Sequence, residues 1–173
     1  MILEDCILQL YPDMIPNVDF FISVDPGTLE QFIGYWNEDK HAIPANIKLK
    51  EAWLDAFKQQ KIKEFSSKCK EEILGQFEAT VNSVAYYFSF DMEAQANFTG
   101  TLALFTEGLI DRMEWTAYKD GVAERLFLDK TQFLKVISEA FQHKNRNITK
   151  YRNELCVKVN QATEVEELEL LTW

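Results

Sequence analysis

The spacing of apolar positions changes several times along the chain, and each change marks an element. Ile2, Leu3, Cys6, Ile7 and Leu10 fall on one face of a short helix, and Pro12 and Pro16 stop it. Asp19–Val24 reads as a strand, Asp25-Pro-Gly as a turn, and Gln31–Asn37 as the returning strand of a hairpin. Pro44 interrupts the chain, and a long helix is predicted from about Leu49. On it Ala52, Trp53, Ala56, Phe57, Ile62, Phe65, Cys69, Ile73 and Leu74 recur at three- and four-residue spacings. Gly75 is the expected stop. The polar stretch Lys58–Lys63 predicts a helical connector at 58–63, between a module at 1–57 and a domain at 64–173.

In the second part, Val84–Phe90 reads as an aromatic-rich strand and Asp91 as the cap of a helix carrying Ala94, Phe98, Leu102 and Phe105 on one face. Arg112–Tyr118 and Val122–Leu128 flank Asp120-Gly121, a strong hairpin signal. Asp129 or Thr131 opens a long helix whose expected face is Phe133, Val136, Ile137, Ala140 and Phe141, continued by Ile148, Tyr151, Leu155 and Val159. It runs out at Ala162. Thr163 restarts a short helix with Glu166 at capping-box spacing, and Leu168, Leu171 and Trp173 are expected to tuck onto the fold. The predicted class is α+β: a small helix–hairpin–helix module, then a domain with a β-hairpin, an extra strand and long helices.

Charge sharpens this picture. The 173 residues carry a formal net charge of -10, with 47% hydrophobic and 13% aromatic content. Such a chain can build real cores, and its acidity argues against neutralising phosphates or clinging to an anionic membrane. The acidity is uneven: residues 1–55 hold three Lys/Arg against ten Asp/Glu, and residues 56–173 hold fifteen against eighteen. A basic partner docking on the front third is one reading, and a solvated acidic surface is the other. Cys6, Cys69 and Cys156 are far apart and odd in number, which suits reduced thiols. The first residues lack a basic start and a long apolar core, and no apolar stretch approaches the ~20 residues of a membrane span.

Candidate chemistry is sparse. His41 sits in a polar loop, and His143 follows Glu139 by one helical turn, but no HExxH or Cys/His cluster accompanies them. No GxSxG and no phosphate-cradling GxxxxGK occurs. Asp111, Asp120 and Asp129 are spaced too widely for a calcium loop and suit turns and caps. Lys144, Arg146, Lys150 and Arg152 beside Tyr151 could hold a nucleic acid strand, yet the overall charge favours a solvated face paired with Glu164, Glu166 and Glu167. The expectation is therefore no enzyme, no metal and no cofactor. Aromatics remain. Tyr35 and Trp36 must point to opposite faces of their strand, as must neighbours among Tyr86, Tyr87 and Phe88, so each strand leaves an aromatic away from its core.

Two resemblances give these aromatics a setting. Met1–Asp13 with its Tyr-Pro stop, Asp19-Phe and Ile33-Gly-Tyr-Trp-Asn37 resemble the XkdW family of PBSX-type prophages, encoded beside a tail-fibre protein, over about residues 1–55. Lys68-Cys69, Ile73, Gly75-Gln-Phe77, Tyr87–Asp91, Gln95–Phe98, Trp115, His143–Asn145, Ile148, Lys150-Tyr151, Ala162, Glu166-Glu-Leu168 and Trp173 resemble a domain of unknown function of phage tail-fibre and fibre-assembly proteins, over about residues 61–173. The resemblance implies a tail-fibre or baseplate protein as partner, through assembly, chaperoning or residence in the virion. It implies a place in the host cytoplasm during assembly or in the virion tail. Self-association and acidic inhibition of a host protein are the alternatives, with no nucleic acid and no membrane involved. Candidate partner-binding residues are Phe20, Tyr35, Trp36, Tyr86, Tyr87, Trp115 and Trp173.

Overall fold

The computed structural model describes residues 3–173, so Ile2 of the first predicted helix lies outside the described residues. The chain is α+β, with its contacts grouped into two units, Met1–Glu64 with Val157–Trp173 and Phe65–Cys156. The last residues thus group with the front of the chain.

The first unit opens with α1 (Leu3–Leu10), followed by the hairpin β1 (Phe20–Val24) and β2 (Gln31–Trp36). Ile7, Met14, Phe20 and Trp36 form its buried cluster, and Leu3, Tyr11, Ile22, Ile33 and Leu49 pack around them. The strands pair Phe20 with Trp36 and Phe21 with Tyr35, then slip so that Ile22 meets Ile33. Gly34 is the residue left over, and a Cβ there would run into the Phe21 ring and Ser23 Oγ. The bulge returns Ile33 to the inner face after Tyr35 has turned outward.

α2 (Asn46–Leu74) begins three residues before the expected start and continues unbroken through the polar stretch 58–63. Lys58 Nζ donates to the Asn160 carbonyl (3.2 Å), and Lys61 Nζ to the Leu171 carbonyl (3.3 Å). These lysines therefore hold the returning C-terminus, one by a carbonyl in the last turn of α5 (Cys156–Gln161) and one by a carbonyl beyond α6 (Val165–Glu169). Val159 of α5, Ala162, and Val165 and Leu168 of α6 are buried. The restart falls one residue later than Thr163 predicted. Glu167, not Glu166, reaches back to accept from Thr163 N (2.7 Å) and Glu164 N (3.4 Å).

The second unit is a four-stranded antiparallel sheet, β3 (Gln76–Val81), β4 (Val84–Ser89), β5 (Arg112–Lys119) and β6 (Val122–Asp129), in that order. β3 is absent from the sequence reading. Its alternation is clean, with Phe77, Ala79 and Val81 buried, and it turns into β4 through Asn82 and Ser83, both at positive φ. α3 (Met92–Thr106) and α4 (Lys130–Thr149) lie on one face, where Phe98, Phe105, Phe133, Val136 and Ala140 meet Phe77, Phe88, Ala117 and Leu128. Asp91 caps α3 by accepting from Ala94 N (2.8 Å), and Asp129 forms a capping box with Gln132 on α4. Phe141, expected on the inner face of α4, is instead 57% exposed, since it lies at the edge of the stripe one turn beyond Ile137. α4 passes into a π-helical turn at Lys150–Leu155.

Candidate functional site

Both histidines singled out from the sequence have structural partners. His41 Nε2 sits 2.9 Å from Asp13 Oδ1 and its ring packs on Tyr11. His143 Nε2 lies 2.9 Å from the Glu72 carbonyl, one ring contact from Phe77, and its partner is that carbonyl, not Glu139. Burial pushes the Cys6 thiol above its ordinary range, helped by the nearby Asp5 charge, and burial does the same for Cys69, which donates to the Asn147 carbonyl. Among the described residues no group of three or more His, Cys, Asp or Glu is placed to hold a metal ion, and no helix is long and apolar enough to cross a membrane.

The polar centre that the sequence reading missed is Asp19, 5% exposed. Its Oδ2 accepts from Lys40 Nζ (2.7 Å) and Ile15 N (2.9 Å), and its Oδ1 from Asn37 Nδ2 (3.1 Å). The Lys40 hydrogen bond, then that of Ile15, holds the carboxyl below its usual range. The hydrogen bond from His41 does the same for Asp13, and the Thr28 and Gly27 backbone donors do so for Asp25. The signal for Asp19 was its position between a proline-stopped helix and an aromatic strand, where chain ends need acceptors.

The seven candidate aromatics separate by burial. Phe20 (0%) and Trp36 (8%) are core residues, a correction to their expected place on a docking surface. Trp36 also donates its indole N–H to the His41 carbonyl (2.6 Å). Tyr86 is half-buried against the second core. Trp115 is half-buried, stacked on Phe98 at 4.4 Å, and lines a polar cleft of about 390 Å³ with Thr101, Glu114 and Tyr118. That cleft opens where β4 and β5 pair only at Tyr87 and Tyr118. Tyr87 is 46% exposed on the sheet face away from the helices. Trp173 is half-buried. Tyr35 alone of the hairpin candidates faces outward, at 47% exposure.

Tyr35 does not stand alone on that face. Phe21 stacks on it at 5.9 Å and 17°, and Phe32 follows on the same side opposite Ser23. Phe21 and Phe32 are 43% and 49% exposed. The slip at Gly34 gathers these three rings outward, while Phe20, Ile22, Ile33 and Trp36 turn inward. Beyond the strands Leu29, 77% exposed, is held at φ 62, a conformation that costs a non-glycine residue about 1 kcal/mol. Phe21, Phe32 and Tyr35 are the candidate contact surface of the first unit.

Comparison with known families places this geometry. The model of a domain of unknown function, DUF4376, matches residues 56–171, well over half of the chain. The chain belongs to the DUF4376 family. The DUF4376 match takes in the whole sheet unit and the C-terminal residues that group with the front of the chain. Residues 3–61, which hold α1, the hairpin and the first half of α2, match the XkdW protein family. This match points to a phage-associated protein, in which an XkdW-like front and a DUF4376 domain overlap on one continuous helix. No curated protein and no solved structure matches the chain.

Proposed function

We propose that the protein is a non-enzymatic phage tail protein that acts in tail-fibre or baseplate assembly through contacts with other viral chains. The observation that carries this reading is the outward hairpin face of Phe21, Phe32 and Tyr35, within the residues that match XkdW. Three aromatics nearly half exposed on one side of a small module form apolar contact area open to a partner. A phage-associated setting supplies the class of chain to cover them. As an assembly factor, the protein covers apolar surface on the fibre chain until that chain trimerises. As a resident of the baseplate or fibre, it stays in the finished particle.

Co-expression with the tail-fibre protein of the same phage tests the reading. The expected result is a rise in soluble, trimeric fibre when the protein is present. Unchanged yield, solubility and trimer content would overturn the assembly role. Mass spectrometry of purified particles then separates the assembly factor, expected to be absent, from a retained subunit.

A further inference from the structure

The aromatic face of the hairpin sits in a module whose charge is one-sided. Eight carboxylates and no lysine or arginine precede Lys40. Lys40, the first cation, is engaged inside the module with Asp19 and with the Asp13 carbonyl. Asp13, Asp19 and Asp25 are likewise held by His41, Lys40 and backbone donors. Three carboxylates remain at the two ends of β2, Glu30 before it and Glu38 and Asp39 after it, exposed and with no side-chain partner among the described residues. Phe32 stands near the first end and Tyr35 near the second.

We propose that this face is a docking site for an arginine-bearing segment of a partner protein. The inference deepens the contact reading given above and rests on it, by naming the chemistry of the partner. A guanidinium is planar, weakly hydrated and always charged, so it lies on an aromatic face while its N–H groups reach a carboxylate. The hairpin carries both along β2: aromatic rings within the strand, and exposed carboxylates in the residues that flank it. Charge also decides against the other occupants. A second copy would bring a second set of unpaired carboxylates against the first, and a phosphate backbone or an anionic lipid surface would be repelled in the same way.

The probe is a short synthetic peptide alternating arginine and valine, with a glutamate–valine peptide as control, titrated into the full chain by fluorescence anisotropy. The arginine peptide is expected to bind, and to weaken about tenfold as salt rises from ~50 to ~300 mM. Phe32→Ser with Tyr35→Ser is expected to weaken it by about tenfold, with unchanged circular dichroism. A second variant, Glu30→Gln with Glu38→Gln and Asp39→Asn, touches no internal partner and is expected to flatten the salt dependence. Equal binding of the glutamate peptide, or undiminished binding to both folded variants, would overturn the proposal. So would a concentration-dependent dimer in light scattering that the Phe32/Tyr35 variant abolishes, which would assign the face to a second copy. No phage component enters this titration, so its failure leaves the co-expression result to stand or fall by itself.

Discussion

Asp19 shows how much of the first unit depends on single polar side chains. One carboxylate satisfies an ammonium, an amide and a backbone N–H, and nearly all of it is out of water. Asp19→Ala leaves those three donors without their acceptor, and its thermal midpoint is expected to fall more than that of Glu38→Ala, whose side chain is exposed. Asp13, Asp19 and Asp25 all have folded pKa values below their unfolded ones. Groups of this kind contribute stability above the unfolded value, near about 4, and lose it as pH falls through the lower folded values. Urea midpoints are therefore expected to be flat from about pH 7 to 5 and to drop below about pH 4, with a shallower drop in Asp19→Asn. A midpoint that rises on acidification would contradict the assignment. At the other unit's tight turn, Ser83 sits at φ 65 beside Asn82. Ser83→Gly removes the left-handed penalty and is expected to stabilise the protein by about 1 kcal/mol in urea unfolding.

At the scale of elements, the sequence was clearest where a turn residue and a periodic run agreed. Asp120-Gly121 marked the β5–β6 hairpin, and Asp91 and Asp129 marked the starts of α3 and α4. β3 escaped because its alternation rests on Phe77, the small Ala79 and Val81, and because its turn, Asn82-Ser83, contains no glycine. The π-helical turn has no compositional mark at all, since a widened turn is set by packing on both sides of it. The hairpin face was half legible. Alternation placed Tyr35 and Trp36 on opposite sides, but Phe21 and Phe32 were not set beside Tyr35, because the pairing register puts Phe21 opposite Tyr35 and the slip at Gly34 turns Phe32 outward in place of Ile33. Gly34→Ala is expected to displace the Phe21 ring and cost about 1 kcal/mol, visible as a lower urea midpoint. The C-terminal tuck was legible in kind and off by one residue in register. Leu168→Ala, fully buried, is expected to cost about 3 kcal/mol, whereas Leu170→Ala, 83% exposed, should be nearly silent in the same measurement.

Across the whole molecule, two family patterns share one chain and overlap on one helix, and the contacts regroup them by returning the last residues to the front unit. The charge follows this division only at the front, where the acidic module carries its three outward aromatics. The proposed function rests on that surface and on a viral chain as its proposed partner. The measurement that bears on this most directly is size-exclusion chromatography of the protein mixed with the tail-fibre protein of the same phage, run beside the Phe32→Ser/Tyr35→Ser variant. Co-elution of the wild type and separate elution of the equally folded variant are predicted. Separate elution of the wild type, or undiminished co-elution of the variant, would contradict the account.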